Sequence, residues 1–386
     1  MSGEPLVSRA GGKLKQIALG GQGMQTSEIG LGGMSAGVTM GSKDIYGKPS
    51  KKPQDIDDLI VKLHKEVGLT HLDSAQMYNS LSIFMCPCTE ACCGYRGEQL
   101  FGAAVNKIGR ENFQVVTKVI PQGAFGSKAH IKNKCDESLK YFGVDCLDLY
   151  YLHRIDQRIP IEVSMEAMNE LKKEGKIKFV GLSECSSETI RRAHAVCPLT
   201  CIQMEWSLFA RDMEAKSDII QVCKELKIGI VAYSPLGRGM LTATVDVNKL
   251  GGFDWRNMSK TGYVHAPKTA SHVKAFKEIA EKKGTTSAIL ALAWLIKHGR
   301  NLLGDAGIVP IPGSGNIDHM LENCKAADLV DQLTAEDMAA IEAAVPIEDY
   351  SNPEWRYNDA DLAPKQWIYD KGGPTLEEYN NGKMTR

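Results

Sequence analysis

Short apolar, β-branched runs alternate with amphipathic stretches along most of this 386-residue chain. Strand-like runs occur at Ile29–Met34, Thr70–Asp73, Gln114–Lys118, Cys146–Leu152, Lys178–Leu182, Cys201–Glu205, Gly229–Tyr233 and Gly307–Ile311. Between them the apolar positions move to helical spacing, at Ile56–Val67, Glu98–Ile108, Ile131–Phe142, Ser164–Lys173, Ser187–Ala195 and Ser217–Leu226. Two more helices are expected near the end, Ser271–Lys283 and Ser287–His298. Boundary residues agree with this pattern: Ser186 precedes one helix as an N-cap, and Gly175 follows Lys173 as a stop signal. Eight strand–helix alternations predict parallel strands joined by helical crossovers.

An open doubly wound sheet is the competing architecture. The count of eight, and the lack of a dinucleotide-type glycine fingerprint at any strand–helix turn, favour an α/β fold closed as a (β/α)8 TIM barrel. The turn at Gly20–Gly23 predicts a β-hairpin ahead of the first barrel strand. One domain is expected over residues 1–386, with the barrel at about 16–345 and a C-terminal extension at 346–386. Three segments break the rhythm: Asn79–Gly97, which holds CPCTEACC; Gly237–Thr269, Gly-rich and aromatic; and the tail, with Trp355 and Trp367. Loops this long in a compact fold are functional or disordered.

Composition narrows the class. A net charge of −1 with interspersed signs gives no field for nucleic acid or an anionic membrane. The longest apolar candidate, Ala288–Ile296, is too short to span a bilayer, and the N-terminus lacks the apolar stretch of a secretory signal. Eleven cysteines, an odd number with no export signal, predict mainly reduced thiols and a cytoplasmic protein.

The chemistry concentrates at strand ends. Asp73 and Tyr78 lie in LDSAQMY, Lys118 ends VVTK, and His153 lies in DLYYLHRID. A phenol titrates near pH ~10, so it is a poor acid unless a cation stands beside it. Lys118 can be that cation, Asp73 can hold it, and His153 can orient a carbonyl by hydrogen bonding. Taken singly, each has a plainer reading: a helix-capping aspartate, a packing tyrosine, a solvated lysine, a structural histidine. Their shared place at carboxyl ends of successive strands, the catalytic rim of such barrels, raises them together.

The motifs LDSAQMY, VVTKV, DLYYLHRID, GKIKFVGLSE, IQMEWSLFARD, VAYSPLGRG and IVPIPGSG…LEN stand in order from Gln16 to about Val345. In this set and spacing the chain resembles the aldo-keto reductase superfamily, and GLSE and IRRAHAV are similar to its plant-type and fungal-type branch. The resemblance implies Tyr78 as proton donor, Asp73 and Lys118 tuning it, and His153 orienting an aldehyde or ketone. It also implies a nicotinamide cofactor bound without a Rossmann fold. Ser183, Glu184 and Gln203 would then meet the carboxamide, with Tyr233 stacked on the ring. Ser234, Leu236 and Gly239 would line the pyrophosphate, and Gly313, Ser314, Asn316, Glu322 and Asn323 the adenosine end. NADP(H) is the expected cofactor, with NAD(H) as an alternative, and the partner is a small-molecule carbonyl substrate.

Two departures from the family stand out. GSGNIDHM carries no permanent cation where many members hold the 2′-phosphate. Arg238 is the nearest substitute, and a missing charge-assisted contact of ~1.5–3 kcal/mol would flatten the preference for NADP. The second is the segment after Tyr78, about twice the usual length, with Cys86, Cys88, Cys92 and Cys93. Their spacing matches no common zinc pattern, so no metal is expected; an inert loop is the plain reading and a redox-responsive dithiol lid the alternative. The rival function is a weakly catalytic or non-catalytic barrel that binds nicotinamide as a redox sensor and docks on a partner.

Overall fold

The computed structural model describes residues 12–34, 39–40, 43–44, 52–78, 97–119, 123–251, 254–258, 262–352, 370 and 372–381. A hairpin of β1 (Gln16–Leu19) and β2 (Met24–Ser27) leads into β3 (Leu31–Gly32), the first barrel strand. A second small ladder, β4 (Thr39–Met40) with β5 (Lys43–Asp44), lies between β3 and the first helix and was not expected from the pattern. The remaining barrel strands are β6 (His71–Asp73), β7 (Gln114–Val119), β8 (Leu147–Leu152), β9 (Ile177–Ser183), β10 (Cys201–Glu205), β11 (Gly229–Tyr233) and β12 (Ile308–Pro310). Each of the eight predicted strands is present.

The main crossovers are α1 (Pro53–Val67), α2 (Gly97–Ile108), α3 (Lys128–Phe142), α4 (Ile161–Lys173), α5 (Ser187–Val196) and α6 (Ile219–Leu226). After β11 come α7 (Thr269–Lys282) and α8 (Ser287–Leu303), and after β12 α9 (Ile317–Cys324) and α10 (Ala335–Ala344). Ser186 caps α5 by accepting from the Thr189 amide at 3.2 Å, as the sequence implied.

The strands pair in parallel in the order β3–β6–β7–β8–β9–β10–β11–β12. The two edges are joined by Gly30 N–H to the Pro310 carbonyl at 3.0 Å and Gly32 N–H to the Pro312 carbonyl at 3.1 Å. This closes a (β/α)8 barrel. Glycine is required at the seam. A Cβ at Gly32 would lie 2.6 Å from the Ile311 carbonyl oxygen, and one at Gly30 would lie 2.7 Å from Cδ2 of His71. Either clash would push apart the edges that the hydrogen bonds hold together.

Apolar residues divide between two layers by strand alternation. Leu19, Met24, Val116, Leu149, Tyr151, Cys201, Val231, Val309 and Ile311 form the interior cluster. The neighbouring positions, such as Val115, Tyr150, Ile202 and Ile230, face the helices in a much larger outer core. The hairpin contributes Leu19 and Met24 to the inside, and Gly20 N–H bonds the Ala306 carbonyl, so it closes the end of the barrel away from the strand C-termini.

One buried ionic cluster ties the loop after β10 to α8 and α10. Glu214 receives Trp206 Nε1 at 2.7 Å, Arg211 at 2.7 Å and His298 Nε2 at 2.8 Å, and His298 Nδ1 lies 3.4 Å from Glu342. Burial acts to raise the Glu214 pKa, but His298 and Arg211 outweigh it and hold the carboxyl down at about 2, against an ordinary 4.5. A lowered folded-state pKa means that the carboxylate stabilises the protein above about 4.5, and that this stability is lost as pH falls toward about 2. Glu214→Gln is therefore expected to cost about 3–5 kcal/mol at neutral pH, because it strands a buried guanidinium. The gap to wild type should shrink as pH falls through that window; urea midpoints measured across it test this, and a gap independent of pH would contradict the assignment.

Candidate active site

Alternation along parallel strands decides which polar side chains reach the barrel mouth. On β7, Val116 and Lys118 point inward and Val115, Thr117 and Val119 outward. On β8 the inward series is Leu149, Tyr151 and, just past the strand, His153. Register then stacks the layers: Asp73 pairs with Val116, Lys118 with Tyr151, and Gln203 with both Ser183 and Val231. The apolar layer thus ends under a polar one made of Asp73, Lys118, Ser183 and Gln203. Gly181 makes room for it, since a Cβ there would lie 2.4 Å from the Tyr151 ring.

Lys118 is fully buried and its ammonium has three close oxygens: Asp73 Oδ1 at 2.5 Å, the Ser74 carbonyl at 2.7 Å and the Tyr78 hydroxyl at 3.4 Å. The other Asp73 oxygen accepts from Gln203 Nε2 at 2.8 Å, so the carboxylate is held from both sides. Burial acts to lower the Lys118 pKa, yet Asp73 and Tyr78 more than compensate and keep it above its ordinary value. Lys118 is therefore a cation at neutral pH.

Tyr78 sits at the opening, half-buried, with its ring edge-on to His153 at 6.0 Å between centroids. Burial pushes the phenol pKa up, and Lys118 opposes that rise without cancelling it. The simple expectation of a net acidified tyrosine is thus modified. Lys118 limits the cost of burying the phenol near Asp73, and the phenol keeps its proton at neutral pH.

His153 is buried, and its Nδ1 has no hydrogen-bond partner among the described residues. Burial, then the Arg154 and Lys118 charges, push its pKa well below 6.5. The ring is neutral, with one N–H to donate, and it stands edge-on to Tyr78 at the opening.

The residues expected to hold a cofactor lie on the same rim, after β9, β11 and β12. Ser183 and Gln203 are buried in the polar layer. Tyr233, ending β11, donates its hydroxyl to Glu184 Oε1 at 3.0 Å, and that same oxygen accepts the Glu205 amide at 3.1 Å. A ring pinned at its hydroxyl presents a fixed face, which a flat heteroaromatic needs. Glu184 and Ser234 adopt left-handed backbone (φ 52° and 48°), as does Gly239 (φ 91°). Such strain in non-glycine residues collects at ligand sites. Leu236 is partly buried against the core. On the far side, Asn316 caps α9 by accepting the Asp318 amide at 2.8 Å, Ser314 accepts the Asn316 amide at 3.0 Å, and Asn323 is buried within the same helix. Gly313 precedes this helix and Glu322 lies on it. The donor set fits an extended dinucleotide: amides and a pinned ring at one end, glycines in the middle, a helix N-terminus at the other.

Arg238, the candidate phosphate partner, turns toward β10. It is buried and bonds Glu205 at 3.1 Å, while Tyr263 donates to Glu205 at 2.7 Å and Arg256 donates to the Arg238 carbonyl at 3.2 Å. This latch binds the long loop after β11 to the barrel. Glu205 was visible in the sequence only as one more alternating position of β10. Arg154, whose guanidinium meets the His153 carbonyl at 2.7 Å and Ser183 Oγ at 3.4 Å, also went unassigned. The tail reaches this rim too. Asp370 accepts from the Ser186 amide at 2.8 Å and Gln157 at 2.9 Å. Cys86, Cys88, Cys92 and Cys93 lie outside the described residues.

A neutral His153 has a direct signature. With imidazole carbons labelled, the NMR resonance that disappears in His153→Gln should hold a constant shift from about pH 5 to 8. A midpoint near 6.5 would show that the ring is solvated and charged.

Comparison with known proteins places this geometry. The model of the Aldo/keto reductase family matches residues 28–346. A thermostable aldo-keto reductase crystallised with the inhibitor epalrestat is 24% identical, with a TM-score of 0.63 over 86% of this chain and 100% of that one. An aldo/keto reductase from Klebsiella pneumoniae, crystallised with NADP and acetate, is 25% identical, with a TM-score of 0.62 over 86% of this chain and 96% of that one. With the family model spanning most of the chain over a barrel with this rim, the protein belongs to the aldo/keto reductase family.

Proposed function

We propose that this protein reduces an aldehyde or ketone to an alcohol with NADP(H), Tyr78 supplying the proton. The observation that carries the reading is the line of contacts Gln203–Asp73–Lys118–Tyr78, with the neutral His153 ring edge-on to the phenol. His153 orients the carbonyl oxygen by donating to it, and Tyr78 protonates that oxygen as negative charge develops there. Lys118 stabilises the phenolate left behind, and Asp73 keeps Lys118 charged. The bound nicotinamide supplies the hydride that the carbonyl carbon accepts. Solvent then returns a proton to Tyr78, which completes the balance.

NADP is favoured because the Klebsiella relative was crystallised with it. Ser314 and Asn316 can bond a 2′-phosphate, but with Arg238 committed to Glu205 no cation is assigned to it, so use of NAD(H) accompanies the proposal. Ser183 and Gln203 would seat the carboxamide, with Glu184 fixing Tyr233 beneath the ring.

Tyr78→Phe is expected to lower turnover of 4-nitrobenzaldehyde by about 10²-fold or more, while NADPH binding by fluorescence quenching is unchanged. Retained turnover would remove Tyr78 from the mechanism. A carbonyl panel run on the wild type with NADPH and with NADH defines the substrate class. Tight cofactor binding without turnover of any member would favour a sensor instead.

A further inference from the structure

The segment after Tyr78 begins and ends at the same place. Gly97, the first residue of α2, donates its amide to the Tyr78 carbonyl at 3.2 Å, which closes the neck of the insertion directly behind the phenol. There is no spare room in that neck. A Cβ at Gly97 would lie 3.1 Å from Ser74 Oγ and 3.3 Å from Tyr78 Cβ, although its backbone has no positive φ that would itself demand glycine.

The next residue reaches the other half of the acid pair. Glu98 is fully buried outside the barrel, and its Oε1 accepts from Thr117 Oγ1 at 2.7 Å. Thr117 is the outward neighbour of Lys118 on β7 and is paired in register with Tyr150 of β8. One helical turn therefore touches both partners: Gly97 holds the backbone of Tyr78, and Glu98 holds the strand that delivers Lys118.

We propose that Gly97 and Glu98 are positioning residues for the proton donor, setting the Tyr78–Lys118 separation from the first turn of α2. The proposal rests on Tyr78 being the acid. Its physical basis is the length of the contact being controlled. At 3.4 Å the Lys118–Tyr78 approach already lies beyond the usual hydrogen-bond range, so a shift of a few tenths of an ångström in either partner breaks it. The neck and the Glu98–Thr117 bond act on those two partners independently. A buried carboxylate serving only to stabilise the fold would hold α2 on the sheet without governing the acid.

The variants are Gly97→Ala, Glu98→Ala, Glu98→Gln and Thr117→Val, with Tyr78→Phe in parallel. In Gly97→Ala, Glu98→Ala and Thr117→Val, kcat is expected to fall about ten- to a hundredfold, with the KM for NADPH unchanged. The alkaline limb of the kcat–pH profile should move to higher pH, because Lys118 draws the Tyr78 pKa down and would do so less. Glu98→Gln keeps an acceptor for Thr117 and should restore most of the rate. Glu98→Ala combined with Thr117→Val should cost no more than either alone. A wild-type kcat and alkaline limb in folded Gly97→Ala and Thr117→Val, with only the melting temperature lowered, would overturn the proposal. If Glu98→Ala does not fold, those two variants decide it. Full turnover by Tyr78→Phe would instead overturn the proton-donor reading on which it rests.

Discussion

A lysine ammonium with no exposure to solvent is the constraint around which this barrel mouth is built. Removing such an ion from water costs several kcal/mol even after relaxation, and only close, well-oriented partners offset it. Lys118 has three oxygens within reach, and the nearest belongs to a carboxylate that is itself fixed by Gln203. Remove Asp73 and the ammonium would shed its proton; remove Lys118 and Asp73 would face the Tyr78 phenol without a countercharge. The three groups are stable only together, and the layer beneath them is apolar.

Closure holds that layer in place. Val116, Leu149, Tyr151, Cys201 and Val231 fill the interior below the ion pair, and the hairpin residues Leu19 and Met24 close the opposite end. Two backbone hydrogen bonds across the glycine seam at Gly30 and Gly32 turn a curved sheet into a ring. Without closure, Asp73 near one edge and Gln203 four strands away could not meet at 2.8 Å.

The rim combines this fixed floor with strained and latched loops. Glu184 and Ser234 hold left-handed backbone immediately after β9 and β11, and the Glu205–Arg238–Tyr263 cluster binds the long loop after β11 to the barrel. The C-terminal residues add a clamp through Asp370 and through Arg192, which meets Glu162 and the Pro374 carbonyl. Ordering of the mouth thus draws on segments far apart in the chain, while the acid pair depends on one short stretch of β6, β7 and the start of α2.

How much of this was legible in the sequence depends on the range of the interaction. Strand alternation and helix spacing are local properties of the chain, so all eight strands, the crossover helices and the place of Asp73, Lys118 and His153 at strand ends followed from the residues alone, while Gln203 came from the family resemblance. The family resemblance assigned Tyr78 its role before any distance was known. The pairings were not legible, because they are set by register and closure between distant segments, 130 residues apart for Gln203 and Asp73. Arg238 stood as one substitute for a phosphate cation before packing placed Glu205 against it, and Tyr78 read as an acidified phenol until burial was weighed against Lys118. The sequence by itself determined which side chains stand at the carboxyl ends of strands, since strand length and period are local properties of the chain. Only the tertiary structure decided which of them touch, because a buried charge takes whatever partner the closed barrel brings within reach.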